Sequence, residues 1–315
     1  MTMTDRIPLV IDTDTAADDC FALMIGLTDP RADLRAITMV AGNVGFEQQV
    51  ENAFLTLEVV GRRGEVPVHL GARQPLEREW ASASDVHGDG VGGQQREGSE
   101  QAADEPAPDA LVRLAREHAG ALKVIAIGPL TNIALAVQRD PGFAANVAEL
   151  VIMGGSINAR GNITAAAEYN IYVDPEAAQI VLDAGFASVR FVTWDPLSLR
   201  DVVFDQARID SIRALGTRRS DFFVTANQQT FDFDVAVGVG GSIHCDSLSV
   251  LVALEPAIVL EERGYFVAVE TRGELTRGAT VFDWRAVAPP ANATAIEAID
   301  RERFVEYMMR MLAEG

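Results

Sequence analysis

A chain of 315 residues with 48% hydrophobic content can bury a sizeable core in one large domain or two small ones, and is neither disordered nor fibrous. Its 26 basic and 46 acidic residues give a formal net charge of -20, which repels nucleic-acid phosphates and anionic membranes and excludes polyanionic partners. The single lysine, Lys123, ends no Gly-rich loop, which excludes a P-loop nucleotide hydrolase, and two cysteines, Cys20 and Cys245, are too few for a disulfide framework or a zinc site. With no signal-like amino terminus and no apolar run near the ~18 residues of a membrane span, the chain is expected to be soluble, unprocessed and cytoplasmic.

Short apolar runs alternate with amphipathic segments, the signature of an α/β protein with an open, mostly parallel, Rossmann-like sheet flanked by helices. Leu9-Val10-Ile11 predicts a buried strand, and residues 17–27 a helix with Cys20, Phe21, Leu23, Met24 and Leu27 on one face. A second strand over 34–40 ends in Ala41-Gly42-Asn43 and leads to a helix over about 47–60. Residues 73–108, rich in Gly, Ser, Pro, Gln and acids, predict a long surface loop. A helix near 109–118, a strand over 122–127, a Gly128-Pro129 turn and a helix opened by Thr131-Asn132 follow. Leu150 to Met153 reads as a strand stopped by Gly154-Gly155, Asp174-Pro175-Glu176 as a helix start, and residues 189–192 as another strand. The remainder predicts helix over about 205–231, a helix after Asp246, strands near 266–269 and 279–282, and a closing helix from Arg301. With no composition break and no internal repeat, one domain over 1–315 is the simpler reading.

Asp12, Asp14, Asp18 and Asp19 crowd into eight residues directly after an apolar strand. In open α/β sheets, ligands bind beyond the carboxyl ends of the strands. Mutual repulsion would raise these carboxylates' pKa values unless a cation neutralised them, and a hard dication such as Ca²⁺ favours mixed carboxylate, carbonyl and water ligation. The plainer alternative is that two of the acids cap the next helix and the others are solvated.

The run Asp12-Thr13-Asp14-Thr15-Ala16-Ala17-Asp18-Asp19 resembles the amino-terminal fingerprint of the inosine-uridine nucleoside hydrolase family, whose usual form has Pro-Gly where this chain has Thr15-Ala16. Further segments match in the family's order: Gly42-Asn43, Gly128-Pro129-Leu130-Thr131-Asn132, Met153-Gly154-Gly155, Gly161-Asn162, Glu168-Tyr169-Asn170, Asp174-Pro175-Glu176-Ala177-Ala178, Asp246 opening a helix, Thr271-Arg272-Gly273, and Arg277-Gly278 to Asp283. The resemblance implies a nucleoside hydrolase fold and cleavage of the N-glycosidic bond of ribonucleosides. It implies Ca²⁺ held by Asp14, Asp19, Asp246 and the main-chain carbonyl of Ile127, with Asp14 taking a proton from the bound water. It also implies a ribose surrounded by Asp18, Asn43, Met153, Asn162, Glu168 and Asn170, an oxocarbenium-like transition state, and assembly as a homodimer or homotetramer.

Family members often carry His before the aspartate matched by Asp246, where it protonates the leaving base; this chain has Cys245 there and His244 one place earlier. Either Cys245 lines the site, as in a subgroup with cysteine at this position, or a local shift lets His244 reach in. The first is favoured because the following aspartate and helix align without a gap. Cysteine is a poor acid near neutrality, and Cys245 also reads as a small buried hydrophobe. His87 lies in a stretch resembling the family's His-Gly-x-Asp-Gly segment but one residue shorter, and either faces the base or sits exposed on its loop. Phe222, Phe223 and Phe231, with Asn227 between them, form either a flap over the base or, more commonly at such spacing, core. Asp12 is expected to orient the loop or a ligand rather than touch metal. Cys20 reads as core, and His69 and His118 have no supporting neighbours.

Two rival functions remain. Asp12-Thr13-Asp14 begins like the nucleophile motif of haloacid-dehalogenase-like phosphatases, but position 16 is Ala and Lys123 opens a strand at the wrong end. A non-catalytic nucleoside or ribose sensor would keep the calcium and sugar contacts without turnover; Cys245 and Thr15-Ala16 favour it, Asp14 does not.

Overall fold

β1 (Ile7–Thr13) is buried from Leu9 onward, as an apolar strand in a parallel sheet covered on both faces must be. The computed structural model describes residues 6–314. After β1 come α1 (Ala17–Thr28), β2 (Ala32–Met39), α2 (Phe46–Val59), β3 (Val68–Leu70), α3 (Ser84–His87), α4 (Ala107–Glu117), β4 (Lys123–Ala126), α5 (Thr131–Arg139), α6 (Phe143–Asn146) and β5 (Glu149–Met153). They are followed by α7 (Tyr169–Val173), α8 (Pro175–Asp183), β6 (Val189–Val192), α9 (Leu197–Asp201), β7 (Val203–Phe204), α10 (Gln206–Arg213), α11 (Arg218–Ala236) and β8 (Ser242–Ile243). The chain closes with α12 (Cys245–Leu254), β9 (Val259–Val269), β10 (Thr280–Asp283), β11 (Ala293–Ile299) and α13 (Arg301–Ala313).

Nine strands form one sheet in the order β10-β9-β11-β6-β5-β4-β1-β2-β3. From β3 across to β11 the strands run parallel, while β9 is antiparallel to β11 and β10 to β9. β7 and β8 form a separate antiparallel pair. The chain winds outward from β1 through β2 to β3, then crosses back to β4 on the other side of β1. That reversal opens a crevice at the carboxyl ends of β1 and β4, where open α/β sheets bind ligands. Asp14 directly follows β1, and Ile127-Gly128 directly follows β4. The Ile127 amide donates to the Asp12 carbonyl at 2.9 Å, which fixes the two strand ends side by side.

α1 was expected to bury one face, but every residue from Ala17 to Leu27 except Asp18 is buried. The helix packs against α2, α11 and α12 as well as β2, so no side is left for solvent. The predicted helix over 205–231 is two helices, broken where Gly216 adopts φ +62° and Thr217 accepts from the Ser220 amide to cap α11. β3, β7, β8 and β11 were not foreseen. The first three are two or three residues long, too short to show alternation. The expected loop over 73–108 is present, carrying only the one-turn α3 before α4 begins at Ala107.

Candidate active site

Asp14, Asp18, Asp19 and Asp246 converge at the switch point between β1 and β4. α1 supplies Asp18 and Asp19 from its first turn and α12 supplies Asp246 from its own. Asp14 accepts from the Asn43 amide at 2.9 Å through Oδ2, while its Oδ1 is buried without a hydrogen-bond partner among the described residues. Glycines make room for this carboxylate: a Cβ on Gly42 would sit 1.9 Å from Asp14 Oδ2, and one on Gly128 2.7 Å from Oδ1. Asp19 is held by Thr13 Oγ1 at 2.6 Å, the Ala16 amide at 3.1 Å and Asn43 Nδ2 at 3.0 Å. Asp18 and Asp246 face each other closely enough that, on top of burial, the charge on Asp18 raises the proton affinity of Asp246. Among the described residues, the ligating side chains whose atoms lie within 4.8 Å of one another are Asp18, Cys245 and Asp246; Asp14 and Asp19, expected as ligands, lie outside that group.

Burial is the leading cause of raised carboxyl pKa values here. It pushes Asp14 and Asp246 well above the usual range, with the neighbouring aspartates adding to the shift. Asp18 is raised by burial, and Asp19 rises to about 7 through burial and the nearby Asp18. Asp14, Asp19 and Asp246 are each raised further by neighbouring aspartates, and such a set of buried acids suits a divalent cation, whose charge would reverse these shifts. Asp12 is also buried and rises to about 7, but does not line the cavity. Its Oδ1 accepts from Thr38 Oγ1 at 2.5 Å and Asn132 Nδ2 at 2.8 Å, tying β1 to β2 and α5 in the positioning role expected of it.

Asp18 and Asp246 open onto a cavity of about 420 Å³. One wall comes from β4, β5, α7 and the loop before α7, and presents Met153, Asn162, Glu168 and Asn170; Asn43 and Asp18 line the cavity too. Glu168 caps α7 and accepts from the main-chain amides of Asn170 at 2.9 Å, Gly155 at 3.0 Å and Ile171 at 3.2 Å. Burial nevertheless lifts its carboxyl to about 7 against those bonds. Asn170 Nδ2 donates to the Ile127 carbonyl at 2.9 Å and approaches Met153 Sδ at 3.2 Å. Asn162 Oδ1 accepts from the Tyr169 amide at 2.8 Å. The six residues expected around a sugar thus share one cavity with Asp246, while Asp14 and Asp19 do not line it.

The other wall is more apolar: Trp194, Leu199, Phe233, Val237, Val239 and Ile243, with Thr230, Asp234, His87 and Cys245 among them. Cys245 lines the cavity, its Sγ 3.7 Å from Asp18 Oδ2. His244 is the correction. It is fully buried, with its ring among Phe21, Phe204 and Phe223, because α12 begins in register and turns this side chain away from the cavity. Burial lowers its imidazole to about 3, and Nε2 meets Ser242 Oγ at 3.1 Å. His87 faces the cavity from α3, with Nδ1 3.3 Å from Thr230 Oγ1, and burial lowers it to about 4.

Phe222, Phe223 and Phe231 are core rather than flap, and Asn227 bonds Ser242 Oγ at 2.8 Å. The cavity face of α11 is instead Thr230, Phe233, Asp234 and Val237, which were not foreseen. Their i, i+3, i+4, i+7 spacing was readable, but nothing local marked this stripe as facing a site. The long loop is stapled over the floor by Asn52, whose Nδ2 donates to the Thr15 carbonyl at 3.0 Å and the Asp89 carbonyl at 2.8 Å. Gly90, at φ +83°, lets the loop backbone pass close to Ala16; a Cβ there would meet Ala16 Cα at 2.8 Å.

Comparison with known proteins identifies the family. Residues 9–306 match the inosine-uridine preferring nucleoside hydrolase family. The chain is 34% identical over 321 residues to the pyrimidine-specific ribonucleoside hydrolase RihA of Salmonella enteritidis, with 97% of this chain and 98% of that protein covered. Among solved structures it is similar to a purine-preferring ribonucleoside hydrolase from Gardnerella vaginalis, with a TM-score of 0.89 at 28% identity over 97% of this chain and 98% of that one. It is also similar to a plant nucleoside hydrolase, with a TM-score of 0.88 at 28% identity over 98% and 99% of the two chains. Sequence and fold agree over nearly the whole length, and the chain accordingly belongs to the inosine-uridine preferring nucleoside hydrolase family and is a nucleoside hydrolase.

Proposed function

We propose that this chain, acting as a single catalytic domain in a homodimer or homotetramer, hydrolyses the N-glycosidic bond of ribonucleosides to ribose and free base, with Asp14 as the base toward the attacking water. The observation that supports this reading is the buried Asp14 Oδ1, without a hydrogen-bond partner among the described residues, in the acidic cluster whose Asp18 and Asp246 line a cavity that also presents Asn43, Asn162, Glu168 and Asn170. Ca²⁺ is the proposed cofactor, with the side chains of Asp14, Asp19 and Asp246 and the Ile127 carbonyl as its ligands. Such an ion supplies an easily ionised water and a fixed point for two neighbouring sugar hydroxyls.

The protein's own groups account for the other parts of the reaction. Asn43, Asn162, Glu168, Asn170 and Asp18 offer hydrogen bonds to ribose hydroxyls, and Met153 packs beneath the ring. As the glycosidic bond lengthens, positive charge develops on the sugar, and carboxylates in a water-poor site stabilise that charge without reorganising. Asp14 then receives the proton of the water that attacks C1′. The free Oδ1 is suited to this role because no protein donor competes for it.

The test is release of free ribose from a panel of purine and pyrimidine nucleosides and their 2′-deoxy counterparts, with and without added Ca²⁺. Asp14→Ala is expected to lower kcat by ~10² to 10⁴, the usual worth of a positioned base. Chelator treatment is expected to abolish turnover and Ca²⁺ to restore it, with deoxynucleosides the poorer substrates. Full activity in metal-free protein overturns the cofactor assignment. Tight nucleoside binding without ribose release overturns the hydrolytic reading in favour of a sensor.

A further inference from the structure

We propose that Asp234 is the catalytic acid that meets the leaving base, taking over a task that Cys245 and His244 do not perform in this chain. The inference rests on the nucleoside hydrolase reading above.

A planar base attached to a sugar held by Asn43, Glu168 and Asn170 has the apolar wall left to occupy. That wall carries few groups able to give a proton. His244 is outside the cavity, enclosed by Phe21, Phe204 and Phe223. Cys245 is inside it, but its Sγ lies 3.7 Å from Asp18 Oδ2 and 3.9 Å from Asp246 Oδ1, so the thiol is directed at the carboxylates rather than at the base. Tyr169 donates its hydroxyl to the Ala81 carbonyl at 2.7 Å, and burial raises its phenol further. His87 is lowered to about 4 by burial and is neutral at neutral pH, so it can donate a hydrogen bond but not a readily lost proton.

Asp234 differs from all four. It stands on α11 one turn beyond Thr230 and beside Phe233, on the stripe that lines the cavity, and only 6% of it is exposed. Among the described residues no Arg, Lys or His forms an ion pair with it, so no cation holds its carboxyl ionised. Burial lifts it to about 7, helped by the Asp18 charge and opposed by the Ile243 amide. A carboxyl with that affinity for its proton is matched to acid catalysis near neutrality.

The step balances without a co-reactant. The C1′–N bond breaks and its electron pair stays with the base. The Asp234 proton passes to a ring nitrogen or exocyclic oxygen of the base, water oxygen bonds to C1′, and the water proton goes to Asp14. Exchange with solvent restores both carboxyls.

The test compares Ca²⁺-loaded wild type, Asp234→Asn and Asp234→Glu on inosine, uridine and p-nitrophenyl β-D-ribofuranoside, whose leaving group needs no proton. Asn keeps the shape and can hydrogen-bond but has no acidic proton. Asp234→Asn is expected to lower the ratio of nucleoside to aryl-riboside kcat by ~10² or more, the lower range for a general acid. Asp234→Glu, which keeps the acid, is expected to hold that ratio within about tenfold of wild type. An unchanged ratio in Asp234→Asn, or parallel loss on both substrate types, overturns the proposal. A ratio in Asp234→Glu as low as in Asp234→Asn also overturns it. Wild type that cleaves the aryl riboside but no nucleoside removes the leaving-group acid alone. Wild type inactive on every riboside removes the nucleoside hydrolase reading, and this inference with it.

Discussion

Cys245 and His244 are adjacent in sequence and occupy opposite environments, one in the cavity wall and one in an aromatic core. Substitution at position 245 therefore changes the lining of the cavity, whereas substitution at 244 changes packing. Cys245→His is expected to shift the purine-to-pyrimidine ratio of kcat/KM on the order of tenfold or more, the range a changed pocket contact commands. His244→Phe is expected to leave that ratio where it was. Steady-state kinetics on inosine, guanosine, uridine and cytidine check both, and an unchanged profile in Cys245→His means that the position does not face the base. Sequence made the acidic floor legible because Asp14, Asp18 and Asp19 cluster after one strand and Asp246 opens a helix. The direction of His244 was not legible, since it depends on where α12 starts and which rings surround it. Asp234 was hidden for another reason. A lone acid between Phe233 and Val235 on a long helix has no motif, and its meaning comes only from the wall it completes.

Elements hold the floor by burial rather than by local hydrogen bonding alone. α1 presents Asp18 and Asp19 from a helix enclosed by α2, α11 and α12, and Phe21 is its largest anchor. Its ring stacks on Phe223 at 4.1 Å and meets Phe222 edge-on at 6.4 Å. Phe21→Ala is expected to cost about 3–5 kcal/mol, the usual penalty for emptying an aromatic core position. Urea denaturation followed by tryptophan fluorescence measures the loss, and the same variant should bind Ca²⁺ more weakly because the carboxylates lose their fixed frame. A cost near zero would mean that α1 is held elsewhere. The alternating strand and helix pattern was legible because most of the parallel sheet is built from apolar runs bounded by glycine turns. β11 was not, since residues 293–299 intersperse alanines with Thr294 and Glu297 and gain strand character from pairing with β6 and β9.

At the scale of the whole molecule, the buried acids and the surface ion pairs respond to pH in opposite windows. Asp12, Glu168 and Asp234 rise from 3.8 or 4.5 to about 7, each through burial first. Folding therefore strengthens their hold on a proton, so their contribution is complete below the unfolded values and is lost as pH climbs through about 7. Glu255 and Asp283 are lowered by their arginine partners. Their contribution is present above the unfolded values of 4.5 and 3.8 and disappears only at lower pH. The net charge of -20 adds repulsion that grows in the same direction as the loss from the buried acids. Metal-free protein should therefore be most stable at mildly acidic pH and weaken steadily toward pH 8. With Ca²⁺ as the proposed cofactor, the ion would compete with protons for the native carboxylates, so its stabilising effect should widen over the same interval. Thermal melts of chelator-treated protein in steps from pH 4 to pH 8, repeated with Ca²⁺, test both halves. A metal-free Tm that rises through pH 5 to 8, or a Ca²⁺ shift that shrinks with pH, would show that the buried carboxyls do not govern stability.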